Sequence, residues 1–157
     1  MENQLNILAE SLEEKIQVLK EIQEYNKGQE QVFSAEPVDI NGFDEAMEEK
    51  GRLIERLARL DDGFETMYSK LSAQLKENRE RYIAEIRCLQ QKIAQITEMS
   101  MAIQAQENRN KQLIEQYFAK ERASIRQNRK ASKAAYDYYK KVNNTSYVPP
   151  QFLDSKK

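Results

Sequence analysis

From about Asn3 to Phe33, the apolar residues Leu5, Leu8, Leu12, Ile16, Leu19 and Ile22 recur every three or four positions. That rhythm predicts an amphipathic helix with one buried stripe. Gly28 weakens it late, while Val32 and Phe33 extend it. Pro37 then ends it, because proline disfavours helical backbone in the residue before it. Asp39 or Asn41 is placed to cap the next helix. A second stripe runs through Met47, Leu53, Ile54, Leu57, Leu60, Phe64, Met67, Leu71 and Leu75. Asp61-Asp62-Gly63 is the one turn-like signal inside it, yet the apolar phase crosses that point without a slip. Gly63 is therefore read as lying within one helix, at a cost of about 1 kcal/mol relative to Ala. The alternative is a helix that ends at Asp62.

No Gly or Pro follows Gly63 until Pro149. One uninterrupted helix over that span would exceed about 100 Å, so a reversal must lie among polar residues. Lys76-Glu77-Asn78-Arg79-Glu80-Arg81 is the first candidate, and Gln104 to Lys111 is the second. A third stripe then starts with Tyr82, Ile86, Leu89, Ile93, Ile96 and Ile103 in the seam rhythm of helix-on-helix packing. Leu113, Ile114, Tyr117 and Phe118 extend it, and beyond Phe118 it thins to Ile125, Ala135, Tyr139 and Val142. The expected fold is all-α. It is an elongated antiparallel three-helix bundle with an extended C-terminal helix, a four-helix bundle being the alternative. Residues 1–118 would form the bundle. Residues 119–157 would form an arm, helical to about Val142 and loosely held from Asn143.

Composition narrows the chemistry. The chain has 157 residues, 32% of them charged, with 4 Gly and 3 Pro. So few turn formers speak against an all-β fold. No stretch approaches a membrane span, and the first residues lack the basic and apolar regions of a secretory signal. There is no His, which removes the commonest general base and metal ligand and excludes a ferritin-like Glu-x-x-His centre. Cys88 is the single cysteine, so neither an intrachain disulfide nor a Cys-based zinc site can form. One cysteine and no signal point to a reducing, cytoplasmic setting. Beside Leu89 on the third stripe, Cys88 is expected to be a small core residue. The many carboxylates, such as Glu10 and Glu14 beside Lys15 or Glu55 before Arg59, read as solvated helix faces. No phosphate-binding or catalytic motif occurs. No catalytic, cofactor-binding or metal-binding residue is expected, and an enzyme is not expected.

The net charge of −1 hides an asymmetry: residues 1–108 carry 13 Lys and Arg against 22 Asp and Glu, and residues 109–157 carry 12 against 4. An acidic body (net −9) thus precedes a basic arm (net +8). The arm is also aromatic, with Tyr117, Phe118, Tyr136, Tyr138, Tyr139, Tyr147 and Phe152. It can dock on the bundle, fold back on the acidic body, or offer aromatic anchors to a partner helix. Nucleic-acid binding is a weaker reading, because the acidic body repels phosphate. A coiled-coil scaffold is a further alternative.

Three stretches carry a resemblance to a known family: Leu8-Ala9-Glu10-Ser11-Leu12-Glu13-Glu14-Lys15, Asp44 through Leu60, and Leu89 through Leu113. Together with Ala134-Ala135-Tyr136-Asp137-Tyr138-Tyr139, they make the chain resemble the FlgN-like flagellar export chaperones, which serve hook–filament junction proteins. The resemblance implies a non-catalytic helical bundle in the cytoplasm; a monomer or weak dimer is expected. Its C-terminal segment would bind the C-terminal helices of hook-associated junction proteins and deliver them to the export machinery. It places the binding helix at roughly Leu113 to Val142. The anchors expected from this and from the apolar stripe are Leu113, Ile114, Tyr117, Phe118, Ile125, Tyr136 and Tyr139.

Overall fold

A computed structural model describes the backbone of residues 1–121 and 125–144, and the side chains of 1–121 and 133–142. Four helices follow one another: α1 (Glu2–Ser34), α2 (Ile40–Glu77), α3 (Ile83–Lys120) and α4 (Ile125–Asn144). α4 runs two residues beyond Val142, so Asn143 and Asn144 are helical rather than loosely held, and the expectation for residues 145–157 lies outside the described residues. At 38 residues each, α2 and α3 span about 57 Å.

The boundaries follow local chemistry. Asp39 caps α2 by accepting a 3.0 Å bond from the Gly42 amide. A Cβ at position 42 would collide with that carboxylate, so a larger residue there would have to shift the Asp39 side chain. Asp61, Asp62 and Gly63 lie inside α2, and the chain reverses at Asn78–Tyr82, overlapping the first candidate region and ending one residue beyond it. Asn78 makes this turn without Gly or Pro. Its amide and side-chain nitrogens both donate to the Gln74 carbonyl, and its own carbonyl accepts from Arg81 and Tyr82. The second candidate, 104–111, is unbroken helix. Gly28 and Gly63 are also mid-helix, and a Cβ at either would meet nothing within 4 Å. Gly28→Ala and Gly63→Ala are each expected to raise stability by about 0.5–1 kcal/mol in thermal unfolding, because alanine surrenders less backbone entropy.

Packing places α1 between α2 and α3, with α4 on α2. The pairs Lys15–Asp61 and Gln29–Lys50 run α1 and α2 antiparallel. The pairs Glu13–Lys92 and Asn110–Asn26 run α1 and α3 parallel. Each long helix buries one seam with alternating spacings of three and four. On α1 it is Leu5, Leu8, Leu12, Lys15, Leu19, Ile22, Asn26 and Gln29. On α2 it is Phe43, Met47, Lys50, Ile54, Leu57, then Asp61, Phe64, Tyr68, Leu71 and Leu75. On α3 it is Ile86, Leu89, then Ile93, Ile96, Ser100, Ile103, Glu107, Asn110 and Ile114. This is the spacing that keeps one face toward a partner helix. Because α1 touches both neighbours, it also buries Ile16 and Val18 beside its seam.

Two readings of single residues need correction. Cys88 is exposed, because the α3 seam passes through Leu89 and turns the preceding residue outward. Lys15 is not on a solvated face. It occupies a seam position, 1% exposed, and its ammonium donates to Asp61 at 2.7 Å. Burial pushes the Asp61 carboxyl up from its ordinary range, and Lys15 holds it back. This ion pair gives Asp61 a place inside α2 and so explains why the chain does not turn there.

Candidate functional site: a buried polar cluster beneath an apolar groove

Four helices meet around Lys50, which is fully buried on α2. Its Nζ donates to Gln29 Oε1 of α1 at 2.9 Å and to Glu107 Oε1 of α3 at 2.7 Å. From α4, the Tyr138 ring lies 4.1 Å from the same ammonium, and the Tyr138 hydroxyl donates to Glu107 Oε1 at 3.0 Å. Asn110 donates to the Asn26 carbonyl at 2.9 Å and reaches Gln29 Oε1 at 3.4 Å. Gln29 Nε2 points to the Met47 sulfur at 3.2 Å. All of Gln29, Lys50, Glu107, Asn110 and Tyr138 are buried. Burial pulls the Lys50 ammonium below its ordinary pKa, against the opposing pull of the Glu107 carboxylate.

This cluster holds helices together. The Lys50 side chain has zero exposure, and its ammonium is turned wholly to its neighbours. Among the described residues, no group of three or more Cys, Asp and Glu side chains is placed to hold a metal ion. The cluster's consequence is mechanical, because Tyr138 seats α4. Tyr138 is 1% exposed, and Ala135 is buried one turn before it. Nearby, Gly51 leaves room for the Lys141 side chain, whose ammonium would lie 3.1 Å from a Cβ at that position. Lys141 pairs with Glu55 of α2 at 3.0 Å, which holds the Glu55 carboxyl below its ordinary range. One cation of the basic arm is thus folded back on the acidic body.

Seated this way, α4 leaves a groove between itself and the end of α3. It has a volume of about 390 Å³ and is lined by Lys111, Ile114, Glu115, Phe118, Ala135, Tyr136, Tyr139 and Lys140. Ile114 is buried at its base, Phe118 and Tyr139 are half-buried, and Tyr136 is 67% exposed. The Lys111 ammonium lies 5.8 Å from the centre of the Tyr139 ring. Four of the seven expected anchors, Ile114, Phe118, Tyr136 and Tyr139, therefore share one surface.

Leu113 and Tyr117 face elsewhere. They line a separate cavity of about 730 Å³ with Phe33 and the linker residues Ala35, Glu36, Pro37 and Val38. Tyr117 packs there at 5.5 Å from both Phe33 and Phe118, and Phe33 packs at 5.1 Å on Phe43. Burial pushes the Tyr117 hydroxyl above its ordinary pKa. Ile125 opens α4, and its side chain lies outside the described residues.

Lys50, Glu107, Gln29 and Asn110 were missed as members of the site because an apolar stripe shows only apolar residues. The signal available was register: each falls where an unbroken alternation of three and four demands a seam residue. No family model, curated protein or solved structure matches this chain.

Proposed function

We propose that the chain is a non-catalytic, cytoplasmic export chaperone of the FlgN-like kind. In this reading it captures an amphipathic C-terminal helix of a hook-associated junction protein and keeps it soluble until the export machinery takes it. The observation that carries the proposal is the apolar groove between α3 and α4, where Ile114, Phe118, Tyr136 and Tyr139 converge. Helix-in-groove recognition needs such a strip, able to accept side chains that recur every three or four residues on the incoming helix. Aromatic anchors supply much of the contact area at small entropic cost. Covering the apolar face of an otherwise self-associating helix is what a holding chaperone must do. The resemblance noted in the sequence supports the choice of cargo.

The scaffold reading finds less support. An oligomer built on the α3 seam needs that seam free, and its residues from Ile86 to Ile114 are spent on intrachain packing. Among the described residues, the large apolar side chains left exposed outside the groove, Ile7, Ile83 and Met101, are scattered rather than contiguous.

The test is co-expression of the full chain with tagged C-terminal fragments of the junction proteins and of the filament-cap protein from the same genome. The expected result is a soluble complex with a junction-protein fragment. The full-length Phe118→Ala/Tyr136→Ala variant should weaken it by about tenfold or more, since interface aromatics commonly contribute over 1 kcal/mol each. No complex with the unaltered chain, or an unchanged one with the variant, would sink the proposal.

A further inference from the structure

Resting on the groove reading above, we infer that the helix accepted between α3 and α4 carries acidic side chains along the flanks of its apolar stripe. The groove's apolar base is edged by two exposed ammonium groups, Lys111 on α3 and Lys140 on α4. Neither is paired with a carboxylate among the described residues, so both charges are free to meet a ligand. Lys111 leans toward the Tyr139 ring, which keeps its charge at the groove wall. Glu115 is the single carboxylate lining the groove.

The wider charge distribution acts in the same direction. Residues 109–141 carry 10 Lys and Arg against 3 Asp and Glu, while residues 1–108 carry 13 against 22. Among the described residues, the exposed ammonium groups of Lys111 and Lys140 draw an acidic-flanked helix to the groove edge. A basic-flanked helix of equal apolar content is repelled by the same two ammonium groups. Rim charges act mostly on encounter rate and on partner choice, and salt screens them. The preference should therefore be strong at low ionic strength and fade as salt is added.

The experiment titrates the full chain against three fluorescent peptides of about 18 residues, roughly five helical turns. All share one Leu/Ile stripe, and their flanking positions are Glu, Gln or Lys. At about 50 mM salt the Glu peptide should bind about tenfold more tightly than the Lys peptide, with the Gln peptide between them; at about 300 mM the spread should shrink to about twofold. The Lys111→Glu/Lys140→Glu variant, altered only at exposed positions, should reverse the order. Tyr136→Ala should weaken all three alike, locating them in the groove. Equal affinities, or a preference for the Lys peptide, would overturn the charge rule while leaving the groove reading intact. No binding of any peptide at low salt would overturn both.

Discussion

Lys50→Met is expected to lower stability by about 3 kcal/mol at neutral pH, the range for removing one partner of a buried ion pair. For a chain of this size that is a fall of roughly 10 °C in melting temperature. The geometry gives the reason. Lys50 is the donor shared by Gln29 Oε1 and Glu107 Oε1, and Glu107 Oε2 already has no hydrogen-bond partner among the described residues. Without the ammonium, a buried carboxylate keeps only the Tyr138 hydroxyl. The Lys50→Met/Glu107→Leu double variant should recover most of the loss, since a well-packed apolar replacement spares both desolvation penalties. If the double variant were as unstable as the single one, the pair would be contributing net stability rather than specifying register.

The pH dependence gives a second readout of the same residue. Burial lowers the Lys50 pKa from 10.5, so the native chain holds fewer protons there than the unfolded chain does. Stability from this group therefore rises as pH climbs through the interval below 10.5, and Lys50→Met removes that slope. Tyr68 and Tyr117, raised from 10.0 by burial, impose the opposite slope above that value in both proteins, so the difference between the two curves isolates Lys50.

The helices were legible because their stripes are regular. Length demanded a reversal after Gly63, and the polar run Lys76-Glu77-Asn78-Arg79-Glu80-Arg81 was the first of the two places offered for it. Continuity through Gly63 followed from the phase of Leu57, Leu60, Phe64 and Met67. The polar interior was not legible by the same route. Lys15, Asn26 and Gln29 on α1, Lys50 and Asp61 on α2, and Ser100, Glu107 and Asn110 on α3 all hold seam positions. Taken by residue type, each looks like a solvated residue, and only its place in the alternation of three and four marks it as interior. Their partners show only when the helices are aligned, because Lys15 needs Asp61 and Lys50 needs Gln29 and Glu107. A polar group at a seam position disfavours registers that leave it unpaired. The same point separates the expected anchors. Leu113 and Ile114 are adjacent in sequence, yet one faces the α1–α2 linker and the other faces α4. An apolar stripe broad enough to serve two neighbours cannot by itself say which side belongs to a partner.

Tyr138→Ala is expected to have the most selective effect, because Tyr138 is where α4 is fastened. Truncating a buried aromatic costs about 3–5 kcal/mol in a packed core. Here the truncation also removes the ring facing the Lys50 ammonium and the hydroxyl donated to Glu107. Among the described residues, what then holds α4 is Ala135, the partly buried Ala134, Tyr139 and Val142, and the half-exposed Lys141–Glu55 pair. An exposed pair contributes under about 1 kcal/mol, and an isolated helix of this length is marginal in water. Amide exchange should therefore accelerate by two or more orders of magnitude (about 2.7 kcal/mol or more) across residues 134–144, while the seams of α1, α2 and α3 keep their protection. Capture of a partner helix should fall with it, because one wall of the groove is α4 itself. Tyr138→Phe keeps the ring and loses only the hydroxyl, at about 1–2 kcal/mol, so α4 should stay seated and capture should persist. Equal loss of protection in all four helices of Tyr138→Ala would mean that α4 is inseparable from the bundle's cooperative core. Unchanged protection in α4 would mean that its seat lies elsewhere. Loss confined to α4, with capture following it, would make the Lys50–Glu107–Tyr138 cluster the physical control on whether the groove exists.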